Sequence, residues 1–313
     1  MHSGLTPRDQ NMDACTPVIS VRSIRLTRGD RGEDLQLRVS APVTGGRLPV
    51  VLFSHGFGSS MDAYAPLTDH WAAHGFVVVQ PTYPDAKRLG QTADDPSSVD
   101  IWRTRVSDAT RAVDYLDEIA RQVPGLSDRI DPTRLAAAGH SFGGQTTSML
   151  LGARMVASGA NENMADSRLA CGILLASGGK GGDDLSAVGR QVTPYLDTDF
   201  GNMTTPTLVV AGDADRSPLS VRGPDWFYDP YHLSPGSKAL LTLAGGEHML
   251  GGISGYEVTE TTDEDPHRVR LVQDVTLAYL KQRLLADADD WISLQADLAP
   301  GANPRGSLIV KDG

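Results

Sequence analysis

The chain has 313 residues, of which 40% are hydrophobic and 21% are charged, as in an ordinary globular protein with a sizeable core. Acidic residues outnumber basic ones by 39 to 28, giving a formal net charge of −11. This negative charge argues against a nucleic acid partner and against binding to an anionic membrane surface.

The N-terminal segment indicates the compartment. It is polar and has no apolar stretch of signal-peptide length, and no part of the sequence reaches the roughly 18 consecutive apolar residues of a membrane span. The two cysteines, Cys15 and Cys171, fit a reducing compartment better than a disulfide framework. We therefore expect a cytoplasmic protein without membrane insertion.

Hydropathy patterning divides the chain into alternating elements. Residues 19–27 and 33–42 alternate apolar and polar side chains, which predicts an antiparallel hairpin. Later runs are continuously apolar, as in strands buried on both faces of a parallel sheet. These predicted strands are 48–56, 76–83, 134–141, 171–177, 205–213 and 238–245. The helical patterns between them cover 61–75, 100–123, 142–155 and 265–285.

This alternation predicts an α/β fold with a mostly parallel, doubly wound sheet and an N-terminal antiparallel hairpin. Residues 1–17 form a polar leader and residues 18–299 a single domain. Residues 300–313 are rich in Pro and Gly and predict an irregular tail.

A Gly-His-Ser-Phe-Gly sequence at 139–143 joins a predicted strand to a predicted helix. It matches G-x-S-x-G in the strand–turn–helix context that this motif requires. Side chains two residues before and after the serine would collide in so sharp a turn, so Gly139 and Gly143 are needed. Ser141 is therefore predicted to expose its hydroxyl at the carboxyl edge of the sheet, beside a helix N-terminus that favours an oxyanion.

From about residue 48 to 285 the chain resembles the α/β-hydrolase superfamily. The similarity is to lidless esterases of the dienelactone hydrolase, chlorophyllase, platelet-activating-factor acetylhydrolase and cutinase-like group. The motifs that carry it are VLFSHGFGSS, AAHGFVVVQPTY, GHSFGGQT, PTLVVAGDADRSP and TLAGGEHM. The resemblance implies an α/β-hydrolase fold without a large lid and a catalytic triad in the chain order Ser, acid, His.

A serine hydroxyl needs a base to become nucleophilic. His248 follows the predicted strand 238–245 directly, where the fold places its base. His232 precedes that strand, and His267 begins the last predicted helix. The sequence therefore predicts His248 as the base, with Glu247 beside it as a solvated charge.

The acid is expected on the loop after strand 205–213. The family pattern of glycine, two residues, aspartate and a later proline fits Asp215, with Gly212 before it. Asp213 is then expected to cap the loop by accepting backbone N–H groups. A minority of relatives take the acid from the preceding strand's end, where Asp183 and Asp184 would be the candidates.

An oxyanion hole needs two backbone donors. One is the N–H of Phe142, the residue after the serine. The resemblance places the other on Phe57 and implies a structural rather than a catalytic role for His55.

Two features bear on the substrate. Trp226, Phe227, Tyr228 and Tyr231 cluster after the predicted acid, either as an aromatic wall for the substrate or as an anchor that pins a long loop. Polyester hydrolases carry a tryptophan after the strand that here reads GILLASGG, and its absence argues against polymer cleavage.

Together these features predict a serine carboxylesterase that forms an acyl-enzyme with small or medium apolar or aromatic esters. A thioesterase, an amidase or an acyltransferase would use the same triad, and a binding scaffold without activity is the alternative from another class. We expect a small-molecule ester as the partner and neither a metal ion nor an organic cofactor, and the oligomeric state is left open.

Overall fold

The computed structural model describes residues 15–27, 34–89, 100–156, 161–257 and 262–313. Most of the predicted leader, residues 1–14, and the connection 28–33 of the predicted hairpin lie outside the described residues.

Within the described ranges, nine strands form one sheet, in the order β1-β2-β4-β3-β5-β7-β9-β10-β11, and β6 and β8 form a separate pair. The strands are β1 Val18–Leu26, β2 Leu35–Pro42, β3 Leu48–Ser54, β4 Val77–Pro81, β5 Ile130–His140, β6 Arg154–Met155, β7 Leu169–Leu175, β8 Thr198–Asp199, β9 Thr207–Gly212, β10 Lys238–Leu243 and β11 Gly306–Lys311. The pairs β1–β2, β2–β4 and β10–β11 are antiparallel, and the pairs from β4 to β10 are parallel. The predicted mostly parallel sheet with an N-terminal antiparallel hairpin is confirmed.

Helices cover both faces of the sheet. They are α1 Ala65–Ala73, α2 Ile101–Asp114, α3 Leu116–Arg121, α4 Phe142–Leu150, α5 Ala187–Val192, α6 Asp229–His232, α7 Pro266–Leu285 and α8 Asp289–Asp297. Val50 and Leu52 of β3 join the apolar layer under α2, α3 and α4, whereas Val51 and Phe53 join the layer under α1, α7 and α8. Continuous apolar runs are required because each strand buries side chains on both faces.

The C-terminal segment differs from the expected irregular tail. Gly306–Lys311 forms β11, which pairs with β10 from Lys238 opposite Lys311 to Leu243 opposite Gly306. The edge of β10 offers unpaired backbone groups, and Leu308, only 3% exposed, enters the core beside it. The Pro and Gly residues that suggested irregularity belong to the turn before this strand.

The connection between β7 and β9 covers residues 176–206, and its longest helix is the six-residue α5. No helix among the described residues has the length and apolar character needed to cross a membrane. Cys15 is exposed, Cys171 is buried, and both are free.

Candidate active site

Ser141 occupies the turn between β5 and α4 with φ 55° and ψ −120°, a conformation that L-residues rarely adopt. A Cβ atom on Gly139 would lie 2.1 Å from the carbonyl oxygen of Gly143, and one on Gly143 would lie 2.0 Å from the carbonyl oxygen of Ser54. Both positions therefore require glycine, as the motif predicted, and the packed strand and helix on either side hold the strained turn.

Three side chains from distant parts of the sequence meet at this turn. The Ser141 Oγ lies 2.9 Å from His248 Nε2, and His248 Nδ1 lies 2.9 Å from Asp215 Oδ2. Because a carboxylate only accepts, the neutral imidazole donates from Nδ1 to Asp215, which leaves Nε2 as the acceptor for the serine proton. Asp215 is 1% exposed, whereas the His248 side chain is 37% exposed at the site entrance.

The alternative acids have other partners. Asp213 accepts a hydrogen bond from the Gly245 backbone N–H at 2.7 Å, so it binds a backbone N–H group of the loop after β10. Asp183 and Asp184 lie in a short 3-10 turn, where Asp184 pairs with Arg222 at 3.0 Å.

The alternative histidines lie elsewhere. His232 ends α6, is exposed and packs against Tyr231, and His267 lies in the exposed first turn of α7. Glu247 accepts a hydrogen bond from the Thr262 hydroxyl rather than contacting the imidazole.

The predicted oxyanion donors are the N–H groups of Phe57, in the loop after β3, and of Phe142, the first residue of α4, and the centroids of their rings lie 6.3 Å apart. Among the described residues no protein acceptor takes a hydrogen bond from either N–H. The Ser141 carbonyl, in the same peptide plane as the Phe142 N–H, accepts from Gln145 N at 3.1 Å, which fixes the direction of that N–H.

The peptide that carries the Phe57 N–H is fixed by His55. Its Nδ1–H donates to the Gly56 carbonyl at 2.7 Å, and its Nε2 accepts from Tyr83 N–H at 3.0 Å. Burial, and then the nearby Arg105 charge, lower the pKa of His55 to about 3, so the ring stays neutral. These contacts agree with a structural role for His55.

Under this loop lies a buried ion pair that the sequence analysis missed. The Arg105 guanidinium donates to both carboxylate oxygens of Asp85, at 2.7 and 2.8 Å, and to the His55 carbonyl. It is sandwiched between the rings of Tyr83 and Phe142, at 4.2 and 4.5 Å. The signal was available: Arg105 interrupts an apolar stripe of helix α2.

The His248 loop has its own anchor in the buried Asp263. Its Oδ2 accepts from the backbone N–H groups of Glu247, at 2.7 Å, and Gly251, at 3.1 Å, while Oδ1 pairs with Arg268 at 2.6 Å. No signal in the sequence distinguishes Asp263 from the acidic residues around it, and such a run of acidic residues predicts a solvent-exposed loop.

The predicted aromatic wall is largely buried. Trp226, Phe227 and Tyr231 are 2, 1 and 8% exposed, and the Trp226 indole N–H donates to the Lys180 carbonyl at 2.5 Å. Tyr228 is partly buried against the same apolar layer. This burial is what the anchoring alternative expects, and the Phe227 and His248 ring centroids lie 5.7 Å apart. A substrate contact of these four side chains stays a prediction.

Within the part of the chain that the structure describes, no group of three or more His, Cys, Asp or Glu side chains could hold a metal ion.

A chlorophyllase family model matches residues 18–158. Platelet-activating factor acetylhydrolase of Canis lupus familiaris is 23% identical over 83% of this chain and 64% of its own length. Cutinase 2 of Thermobifida cellulosilytica is 25% identical over 80% of this chain and 79% of its own. Cutinase est2 of Thermobifida alba is 26% identical over 66% of this chain and 55% of its own. The match thus spans less than two thirds of the length of the acetylhydrolase.

Proposed function

We propose that this chain, which has the α/β-hydrolase fold and resembles serine esterases of that fold, is a carboxylic ester hydrolase with Ser141 as its nucleophile. The observation that carries the proposal is the unbroken contact from Ser141 Oγ through His248 to Asp215, with 2.9 Å at each step. The ester hydrolases among its relatives support the same reaction class.

In the acylation half-reaction the Ser141 oxygen attacks the ester carbonyl carbon while His248 Nε2 takes the hydroxyl proton. Asp215 holds the imidazole in the required tautomer and stabilises the imidazolium that forms. The carbonyl oxygen, now an oxyanion, accepts hydrogen bonds from the N–H groups of Phe57 and Phe142. When the tetrahedral intermediate collapses, the C–O bond to the alcohol breaks and His248 gives its proton to the leaving oxygen.

Deacylation repeats these steps with water. His248 Nε2 takes a proton from a water molecule, whose oxygen attacks the acyl carbon, and the same two N–H groups bind the second oxyanion. The bond to Ser141 Oγ then breaks, His248 returns the proton to the serine, and the carboxylic acid leaves.

Small or medium esters with apolar or aromatic groups fit the entrance best. Phe57 is 63% exposed beside Ser141, its ring faces that of Phe142, and Phe142 in turn lies 6.4 Å from Tyr195. The exposed Phe57 ring and the partly buried Phe142 ring can pack against an acyl or alcohol group, with Tyr195 behind Phe142.

A fluorophosphonate probe tests the nucleophile, with the adduct located by peptide mass spectrometry. We expect one adduct, on Ser141, and none in Ser141→Ala. Absence of the adduct in the folded wild-type protein would favour a binding scaffold instead. Matched ester, thioester and amide substrates with the same acyl group then separate the esterase from the thioesterase and amidase alternatives, and added alcohol acceptors test for acyl transfer.

A further inference from the structure

A chain of hydrogen bonds runs behind Ser141 and joins the two loops that flank it. The Gly56 N–H meets the Tyr64 hydroxyl at 3.0 Å, and that hydroxyl meets His140 Nδ1 at 2.9 Å. On its other side His140 Nε2 lies 2.8 Å from the backbone carbonyl of His248. Gly56 immediately precedes the predicted oxyanion donor Phe57. This path of hydrogen bonds therefore ends at the oxyanion loop on one side and at the base on the other.

The direction of every bond in this chain is determined. The His248 carbonyl can only accept, so His140 Nε2 carries the proton, and in a neutral ring Nδ1 must then be the acceptor. Tyr64 therefore donates its hydroxyl proton to Nδ1 and accepts the Gly56 N–H on its oxygen. Burial, and then the His248 charge, lower the pKa of His140 to about 3, and burial raises that of Tyr64 to about 12, so both groups stay neutral around pH 7.

Packing confines these hydrogen-bonded side chains to one arrangement. Tyr64 and His140 are 2% and 1% exposed, and the Tyr64 ring packs on Phe53 at 4.8 Å. A Cβ atom on Gly56 would lie 3.0 Å from the Tyr64 hydroxyl oxygen, 3.3 Å from His140 Nδ1 and 3.5 Å from Ser141 Cβ. The loop therefore touches the tyrosine, the histidine and the nucleophile at once.

Tyr64 is also held in a strained conformation. Its φ of 66° lies in the left-handed region, which is unfavourable for an L-residue with a bulky side chain. The surrounding structure enforces it, because Tyr64 N–H donates to the Ser254 carbonyl at 3.0 Å and the Tyr64 carbonyl accepts from Thr68 N at 2.9 Å. Strain of this kind is retained where the enforced geometry serves a site.

We propose that Tyr64 and His140 are positioning residues, which fix the oxyanion loop and the His248 loop relative to Ser141 through this one path. The inference rests on the proposed function, since it concerns how the oxyanion donor and the base of that reaction are held at fixed positions relative to each other. Neither residue contacts the reacting atoms. Their effect is geometric, and misplacing a reacting group by about 1 Å can reduce the rate by about 10²-fold.

Two substitutions break the hydrogen bond between Tyr64 and His140. Tyr64→Phe removes the hydroxyl, and with it also the bond to the Gly56 N–H, but keeps the ring that packs on Phe53. His140→Gln can keep a donor for the His248 carbonyl while it loses the acceptor for Tyr64. Tyr279→Phe is the matched control, because Tyr279 is an equally buried tyrosine on α7, in the same apolar layer as Tyr64, and its ring packs on Trp291 at 5.2 Å, outside the hydrogen-bonded path.

The readouts are kcat and KM for one ester, and the rate of fluorophosphonate labelling. We expect each single variant to lose roughly 10- to 100-fold in kcat, with KM within about twofold of wild type. Both substitutions break the bond between Tyr64 and His140, so their effects on kcat should not multiply. The kcat of the double variant should be at least about half that of the slower single variant. Tyr279→Phe should keep the wild-type kcat.

Nitrogen NMR of the wild-type protein tests the path without any substitution. We expect His140 at pH 7 as the neutral tautomer with its proton on Nε2. A proton on Nδ1, wild-type kcat in folded Tyr64→Phe, or losses that multiply in the double variant would each overturn the inference. A wild-type protein that Ser141-directed probes fail to label would overturn the proposed function instead, whatever the tautomer of His140.

Discussion

Replacing Asp85 by Asn would leave the positive charge of Arg105 without its counter-ion in a fully buried position, since the Arg105 side chain is 0% exposed. Removing one partner of a buried ion pair typically costs about 3–5 kcal/mol of the free energy of unfolding. At about 2–4 °C for each kcal/mol, the slope for chains of about 150–250 residues, Tm should fall by roughly 6–20 °C. The thermal transition followed by circular dichroism measures this directly.

The same substitution should also reduce activity. Asp85 accepts the Gly58 N–H at 3.2 Å and holds Arg105, which donates to the His55 carbonyl, so both ends of the oxyanion loop lose an anchor. We expect a lower kcat for ester hydrolysis at temperatures where the variant remains folded. The double variant Asp85→Leu with Arg105→Met removes both charges and should recover most of the lost Tm.

The pH dependence gives an independent check. Burial raises the pKa of Asp85, but the Arg105 charge and the hydrogen bonds from Arg105 and the Gly58 N–H outweigh it, so the pKa lies below its ordinary value. A carboxyl with a lowered folded pKa contributes stability above its unfolded pKa of about 3.9 and loses it as the pH falls through the folded value. The Tm difference between wild type and Asp85→Asn should therefore be constant above about pH 5 and shrink in stronger acid. A Tm for Asp85→Asn within about 2 °C of wild type, or a double variant less stable than Asp85→Asn, would refute the reasoning.

Three further predictions follow from the site. Gly143→Ala would bring a Cβ atom to 2.0 Å from the Ser54 carbonyl oxygen, so soluble expression and fluorophosphonate labelling should both be lost, and a labelled, folded variant would contradict the steric account of the turn. Phe57→Ala keeps the backbone N–H, so kcat for a short acetyl ester should stay within about threefold while KM for aromatic esters rises; a loss of more than about 10²-fold for every ester would instead indicate a damaged oxyanion hole. Burial lowers the pKa values of His55 and His140 to about 3, so the unfolded state binds more protons below pH 6.5 and stability falls with acid. Urea titrations should show a loss of roughly 2 kcal/mol for each of these histidines between pH 6.5 and 5, and His140→Gln should remove its share.

The local requirements of the site are visible in the sequence. The turn at Ser141 requires Gly139 because a Cβ atom there would meet the Gly143 carbonyl within the same five residues, and this constraint is local. Gly143 is required because of the Ser54 carbonyl on β3, and in the sequence the motif alone indicated it. The order of apolar runs and helical patterns predicted the parallel sheet for a similar reason, since strand burial is a property of each segment. Chain order and family resemblance then indicated His248 and Asp215, which the structure brings to Ser141.

Tertiary structure alone decided which aromatic residues face the entrance. Their clustering in sequence left two interpretations of Trp226 and Tyr231 open, a substrate wall or a loop anchor, and the folded loop buries both side chains, whereas Phe57 is exposed. In the same way Gly306–Lys311 became a strand only because the edge of β10 was available to pair with it.

The residues that hold the site in place were also decided by tertiary structure alone. Tyr64 and His140 are 76 residues apart, and Arg105 reaches Asp85 across 20 residues, so no local pattern marks them as partners. A hydrogen bond or an ion pair depends on the distance and direction between two particular atoms, and these are set when the helices pack on the sheet. The sequence therefore determined the turn, the sheet and the reactive side chains, whose constraints are local or periodic, whereas the packed fold determined what holds those side chains in place.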